Sequence, residues 1–191
     1  MRALVGLLVL ASCGYPALEH TDAGKDGAGG HCDALASYGT ALTGQEAVSM
    51  MSGDAYGYDG QLTTDMPPDV LDIELFAGHG VFPGAIQPKA IPISGAELDY
   101  ATCGGCVLIA ANCLNCDLST GAGVGSFYMA TSGTLTITAL SPLTGSLSNV
   151  MFTHVTIDNQ GTSPTYHVTP VGDGCVSKIA TISFSAPVTP Q

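Results

Sequence analysis

Asp54, Asp59, Asp65, Asp69 and Asp72 crowd one short stretch of the chain, interleaved with Gly53, Gly57 and Gly60. Hard oxygen ligands carried on glycine-rich loops suit Ca²⁺. The run Asp54-Ala-Tyr-Gly-Tyr-Asp59-Gly-Gln-Leu-Thr-Thr-Asp65 departs from the EF-hand order, however. It lacks a ligand at the third position and the closing Glu. Solvated loop carboxylates are the commoner source of such a run, with a calcium site as the sharper expectation. Tyr56, Tyr58 and Phe76 offer rings on which a sugar could stack, although the chain has no Trp to strengthen that reading.

Cysteine supplies the second constellation. Setting Cys13 aside, Cys32, Cys103, Cys106, Cys113, Cys116 and Cys175 form an even set, which in an oxidising compartment reads as disulfides. Cys103-Gly-Gly-Cys106 and Cys113-Leu-Asn-Cys116 also have the spacing of zinc knuckles. Only six residues separate the two pairs, against about 15–20 in the usual two-knuckle site. Those six, Val107 to Asn112, read as strand. A redox role for Cys103 needs a helix start to lower its thiol pKa, and the residues after Cys106 are apolar or β-branched. On a regular strand, Cys103 and Cys106 face opposite sides and lie about 10 Å apart, too far to be bridged. The expectation is therefore a local Cys113–Cys116 bridge, with Cys32 and Cys175 taking Cys103 and Cys106.

Five histidines are present. His20 and His31 fall in a glycine-rich segment, while His154 and His167 fall in or beside strand-like runs. His79, between Gly78 and Gly80, is the best placed for catalysis. Neither a Gly-x-Ser-x-Gly elbow nor a His-Glu-x-x-His pair occurs. Beyond residue 13 the only basic side chains are Lys25, Lys89 and Lys178, so few groups can stabilise a developing negative charge. No catalytic residue and no cofactor are assigned, and a non-enzyme is expected.

At the other end of the chain, Arg2 precedes the apolar run Ala3 to Ala11, and small residues lead to Cys13. A short cationic start and a hydrophobic run too short to span a bilayer make an export signal. Leu10-Ala11-Ser12-Cys13 resembles the lipobox of bacterial lipoproteins. The resemblance implies cleavage after residue 12, acylation of Cys13, and a permanent membrane tether. Each buried methylene contributes about 0.8 kcal/mol, and more than one chain gives a lasting hold. Gly14 is not the Asp that favours inner-membrane retention in such lipoproteins, so the implied place is the envelope, with the outer membrane preferred. Residues 13–31 then read as the lipidated cysteine and a flexible spacer, and residues 32–191 as one domain with a real core.

All sixteen acidic residues lie beyond Cys13, and the net charge of the whole chain is −12. Such a body repels phosphate backbones, which argues against nucleic acid as a partner, and it repels anionic lipid surfaces too.

The elements that position these groups are strands. Val70 to Phe76 alternates, with Leu71, Ile73 and Leu75 on an apolar face and Val70, Asp72, Glu74 and Phe76 on the other. Ala90 to Ser94, interrupted by Pro92, suits an edge. Ala96 to Ala110, Ser126 to Ala130, Thr134 to Thr138, Ser146 to Asp158, Tyr166 to Val171 and Val176 to Ala186 complete the series. Ala34 to Met51 is ambiguous between a helical turn at Gln45–Val48 and a loop. Glycine- and proline-rich breaks recur with no helical periodicity. This predicts an all-β antiparallel sandwich or open barrel of about eight strands, stapled by disulfides.

Three segments carry a further resemblance: Ser94-Gly-Ala-Glu-Leu-Asp-Tyr-Ala-Thr-Cys103-Gly-Gly-Cys106-Val, Ser132-Gly-Thr-Leu-Thr-Ile-Thr138 and Cys175-Val-Ser-Lys-Ile-Ala-Thr-Ile-Ser-Phe184. They look like exported bacterial lipoproteins with β-rich bodies, to which no activity is attached. The pair Cys113 and Cys116 departs from the commoner pattern of that group. Together these readings predict a lipid-anchored surface or envelope component with a structural or interaction β domain. The alternative is a module binding Ca²⁺ or a glycan.

Overall fold

The computed structural model describes residues 32–50, 53–118, 120–158 and 165–191. Cys13, the spacer, His20 and His31 lie outside the described residues. Among the described residues ten strands form: β1 (Thr43–Met50), β2 (Ala55–Gln61), β3 (Val70–Phe76), β4 (Lys89–Pro92), β5 (Gly105–Ala111), β6 (Ser126–Leu140), β7 (Leu143–Ile157), β8 (Val168–Pro170), β9 (Val176–Ala186) and β10 (Val188–Pro190). The fold is all-β, and its hydrogen-bonded set runs β10-β1-β2-β3-β5-β6-β7-β8, with β4 joined to β6 and β9 to β7. Every strand pair is antiparallel except β1–β10, which makes the sheet mixed.

The long hairpin β6–β7 organises this architecture. The first part of β6 pairs with β5 and its second part with β4, while the first part of β7 pairs with β9 and its end with β8. Register shifts fall between Ala130 and Thr134, where Gly133 takes a φ of +111° and Asn149 across from it one of +52°. A Cβ on Gly133 would lie 2.7 Å from the Asn149 carbonyl oxygen, so only glycine fits there. Bulges of this kind let strands bend from one sheet into another. The long hairpin thus joins β5 and β4 to β9 and β8 in one mixed sheet, and in the main core Tyr58 of β2 meets Phe184 of β9 at 4.7 Å between ring centroids.

The main core takes Leu71, Ile73 and Leu75 from β3, Val107 and Ile109 from β5, and Leu147, Val150 and Phe152 from β7. A satellite cluster of Cys103, Cys106, Leu108, Met129 and Val155 forms apart from it, with Leu108 and Cys106 on the other face of β5 from Val107 and Ile109. Parity explains the division, because Asp72 and Glu74 of β3 pair with Leu108 and Cys106 of β5 and share that second face.

Two expectations change here. The segment read as a helical turn or loop, and the aspartate-rich run after it, are β1 and β2. Glycine weakens local strand preference, but pairing on both sides of β2 overrides it. At Gly60 a side chain would collide with the Tyr58 hydroxyl at 2.5 Å, so its glycine serves a close approach within a strand. The predicted long strand from Ala96 begins only at Gly105. Before it lies a 3-10 turn, Gly95–Leu98, and then a turn in which the Asp99 carbonyl oxygen accepts from Thr102 N and Cys103 N.

That turn also corrects the cysteine pairing. Cys103 bonds Cys106 with Cα atoms 5.3 Å apart, because the backbone is folded back rather than extended between them. Cys32 bonds Cys175 across 143 residues, stapling the start of the domain to the entry of β9. Cys113 pairs with Cys116 around Leu114-Asn115, where Asn112 and Asn115 both take positive φ. The six cysteines among the described residues are all in disulfides, so they leave no thiolate set for zinc.

Candidate functional site

The second face of β1, β2 and β3 carries a row of carboxylates. Glu46 of β1 stands opposite Asp59 of β2, and Asp59 opposite Asp72 of β3. Glu74 comes after Asp72 on the same face of β3. These groups floor or border a groove of about 600 Å³, a size suited to a small-molecule ligand. Val48, Met50 and Val70 give the groove aliphatic wall, and the segment carrying Cys113, Cys116, Asp117 and Leu118 forms its other side. Gly57, between Val48 and Glu74 in the register, leaves the floor open.

Asp59, Asp72 and Glu74 are poorly solvated, whereas Glu46 is exposed. Asp72 is only 6% exposed, and among the described residues no hydrogen bond reaches its carboxylate. The Oδ1 atom of Asp59 is buried and likewise unpartnered. Burial, then Glu46 and Glu74, pushes Asp59 up from 3.8 to about 7. Burial, then Glu74 and Asp59, holds Asp72 well above the usual carboxylate range. Burial raises Glu74 as well, although the Tyr100 hydroxyl donates to it and offsets part of that effect. Tyr100 is itself pushed far up by burial and by the charges of Glu74 and Asp72. The two described lysines are elsewhere: Lys89 donates to the Val81 carbonyl oxygen and lies over Phe82, and Lys178 pairs in register with Met151.

Of the five aspartates singled out from the sequence, the fold brings Asp59 and Asp72 together. Asp69 is a structural group, accepting from the Tyr38 hydroxyl at 2.6 Å and from Asn112 N at 3.0 Å. Asp54 and Asp65 are exposed on separate connections. Among the described residues no three Asp, Glu, His or Cys side chains converge on a point where a metal ion would sit. The expected calcium set is thus not assembled, because two members point into a strand face, one is tied up in the core, and two lie on loops. The sugar platform is dispersed too. Tyr58 is buried against Phe184, whereas Phe76 faces the other way, edge-on to Tyr100 and His79.

Of the described histidines, His154 and His167 are paired with carboxylates and His79 is not. His79 is exposed in a turn and lines a shallow depression with Asp54 and Phe76. His154 stacks on Tyr128 and its Nδ1 lies 2.6 Å from Asp173, whose other oxygen accepts from Cys175 N. His167 Nδ1 lies 2.7 Å from Asp99, which also accepts from Val168 N and so pins β8 to the 99–103 turn.

Glu46, Tyr100 and Glu97 were not singled out from the sequence. Glu97, 2% exposed, accepts from Val81 N, Gly104 N and Gly105 N. A signal for it existed in Gly104-Gly105, since a Cβ on Gly104 would stand 2.4 Å from the His79 carbonyl oxygen. For Glu46 there was none, because its meaning depends on the β1–β2 register. Comparison with known proteins finds no family model, no curated protein and no solved structure that matches this chain.

Proposed function

We propose that this chain is an exported envelope protein, tethered through acylated Cys13, whose β domain binds a partner rather than transforming it, and that the binding surface is the groove over β1–β3. The observation that carries the reading is Asp72, a nearly buried carboxylate with no hydrogen-bond partner among the described residues, lining a groove large enough for a ligand. A buried polar group without a partner costs stability. Such groups are concentrated where a protein spends stability on binding or chemistry. Export is supported by the three disulfides, which persist in oxidising compartments. The outer membrane is the preferred location, on the sequence reading of Gly14.

Two experiments test the two halves. The Cys13→Ser full-length chain is expected to leave the membrane fraction, and its retention there would remove the tether. For the groove, any ligand that stabilises the wild-type chain is expected to bind at least about tenfold more weakly to Asp72→Asn. A ligand whose affinity is unmoved by both Asp72→Asn and Asp59→Asn would locate binding elsewhere.

A further inference from the structure

We infer that the groove over β1–β3 takes a linear oligoamine, a chain of ammonium groups separated by short methylene spacers. This rests on the groove being the binding site and goes on to name the chemical class of its ligand. The first argument is the unmet demand for positive charge. Asp72 is 6% exposed without a hydrogen bond from any described residue, Asp59 presents a buried, unpartnered oxygen, and neither described lysine reaches the groove. A cation entering from solvent supplies the missing counter-ion and hydrogen-bond donors together.

The second argument is spacing. Directly opposed residues on adjacent strands have side chains about 5 Å apart. Glu46, Asp59 and Asp72 therefore have Cβ atoms about 5 Å from one to the next, and the Cα of Glu74 is about 7 Å along the strand from that of Asp72. Among the described residues no three of these side chains converge on one point for a metal ion. Ammonium groups three or four methylenes apart are separated by about 5–6 Å when extended, which matches the row. The third argument is the wall between the acids. Val48, Val70 and Leu118 give the methylenes apolar surface, and at Gly57 a Cβ would contact only the Val48 side chain, so the floor admits an extended chain.

The test is titration calorimetry on the full-length chain with spermidine, with Ca²⁺, and with a neutral diol of similar length. Spermidine is expected to bind saturably, more tightly at pH 8 than at pH 5.5, and to release protons in buffers of differing ionisation heat. The groups facing the ligand are Glu46 from β1, Asp59 from β2, Asp72 and Glu74 from β3, Tyr100 behind them, and Asp117 on the far wall. Their carboxyls must be ionised to pair with it. Asp72→Asn and Asp59→Asn are each expected to weaken binding about tenfold or more, and Glu46→Gln less. Because Glu46 is exposed, that variant keeps the test open if an aspartate variant fails to fold.

No saturable binding of spermidine at millimolar concentration overturns the inference. So does spermidine binding that ignores all three substitutions, which is nonspecific attraction to an acidic protein. If Ca²⁺ or the diol binds instead and is weakened by Asp72→Asn, the ligand class is wrong while the groove stands as the binding site. If none of the three binds, the oligoamine is rejected, and the groove is judged separately by the Asp72→Asn and Asp59→Asn comparison with whatever ligand stabilises the chain.

Discussion

Asp59 and Asp72 face each other directly across the β2–β3 ladder, on the face of the sheet turned away from the main core. Like charges so placed repel, and partial burial denies them the water that would screen the repulsion. Both carboxyls are shifted toward their protonated forms. Asp59 is pushed up to about 7, by burial first and then by Glu46 and Glu74, and Asp72 goes higher than the normal carboxylate range for the same kinds of reason.

This fixes the sign of a pH effect. A carboxyl whose folded pKa exceeds its unfolded one binds more protons in the native state, so stability falls as pH rises. For Asp59 that stability is fully present below the ordinary value of 3.8 and is lost as pH rises through about 7. Asp99 and Asp173 act oppositely. In Asp99 the bonds from His167, Ala101 N and Val168 N outweigh burial, and in Asp173 the bond to His154 dominates, so both carboxyls are lowered. Their effect is confined to pH near and below 3.8. The melting temperature is therefore expected to drop by on the order of 5 °C between pH 5 and pH 8, and Asp59→Asn is expected to flatten that slope. Calorimetric scans across the window check both. A melting temperature that rises over it contradicts the buried-acid picture.

The Cys32–Cys175 bridge closes 143 residues, and long closed loops restrict the unfolded chain most. Replacing both cysteines by Ala is expected to cost about 2–5 kcal/mol. Removing Cys113 and Cys116, separated by three positions, is expected to cost less. Urea unfolding of the two double variants gives the comparison.

Glu97 gathers three backbone N–H groups from two segments. Glu97→Ala leaves those donors unmatched and is expected to cost about 2–4 kcal/mol. Glu97→Gln retains an acceptor oxygen and is expected to cost less. Equal losses for the two would show that packing, not hydrogen bonding, holds the turn.

At Gly133, alanine meets both a φ of +111° and the backbone of Asn149 and Val150 within 2.7 Å. Gly133→Ala is expected to destabilise by about 1–3 kcal/mol, as measured by urea unfolding. Gly172→Ala makes a useful comparison, since its φ is also positive but nothing lies within 4 Å of the added carbon.

Asp99 ties β8 down through His167 and Val168 N. Asp99→Ala is expected to speed amide exchange in residues 168–170 while leaving β3 and β5 protected. Unchanged exchange at β8 would mean that its pairing with β7 suffices.

Much of the fold is legible where apolar residues recur at every second position. The alternation of Val70 to Phe76 and the edge position of Pro92 follow from residue types alone. The pairing of Cys103 with Cys106 does not, because the chain bends at Gly104 just where apolar composition suggests a strand. The aspartate run was visible as a concentration of charge, but its division into groove, core and loop depends on β2 being a strand at all.

What the residues determined by themselves is therefore the class: alternating β segments, an even set of cysteines beyond Cys13, and an acidic body almost without cations. These depend on composition and on periods of two, which are local. Tertiary structure decided which acids share a face, since that depends on the register of three strands whose members lie apart in the chain. Cross-strand register is set by the core packing of the opposite face, and it alone turns scattered carboxylates into the row Glu46, Asp59 and Asp72.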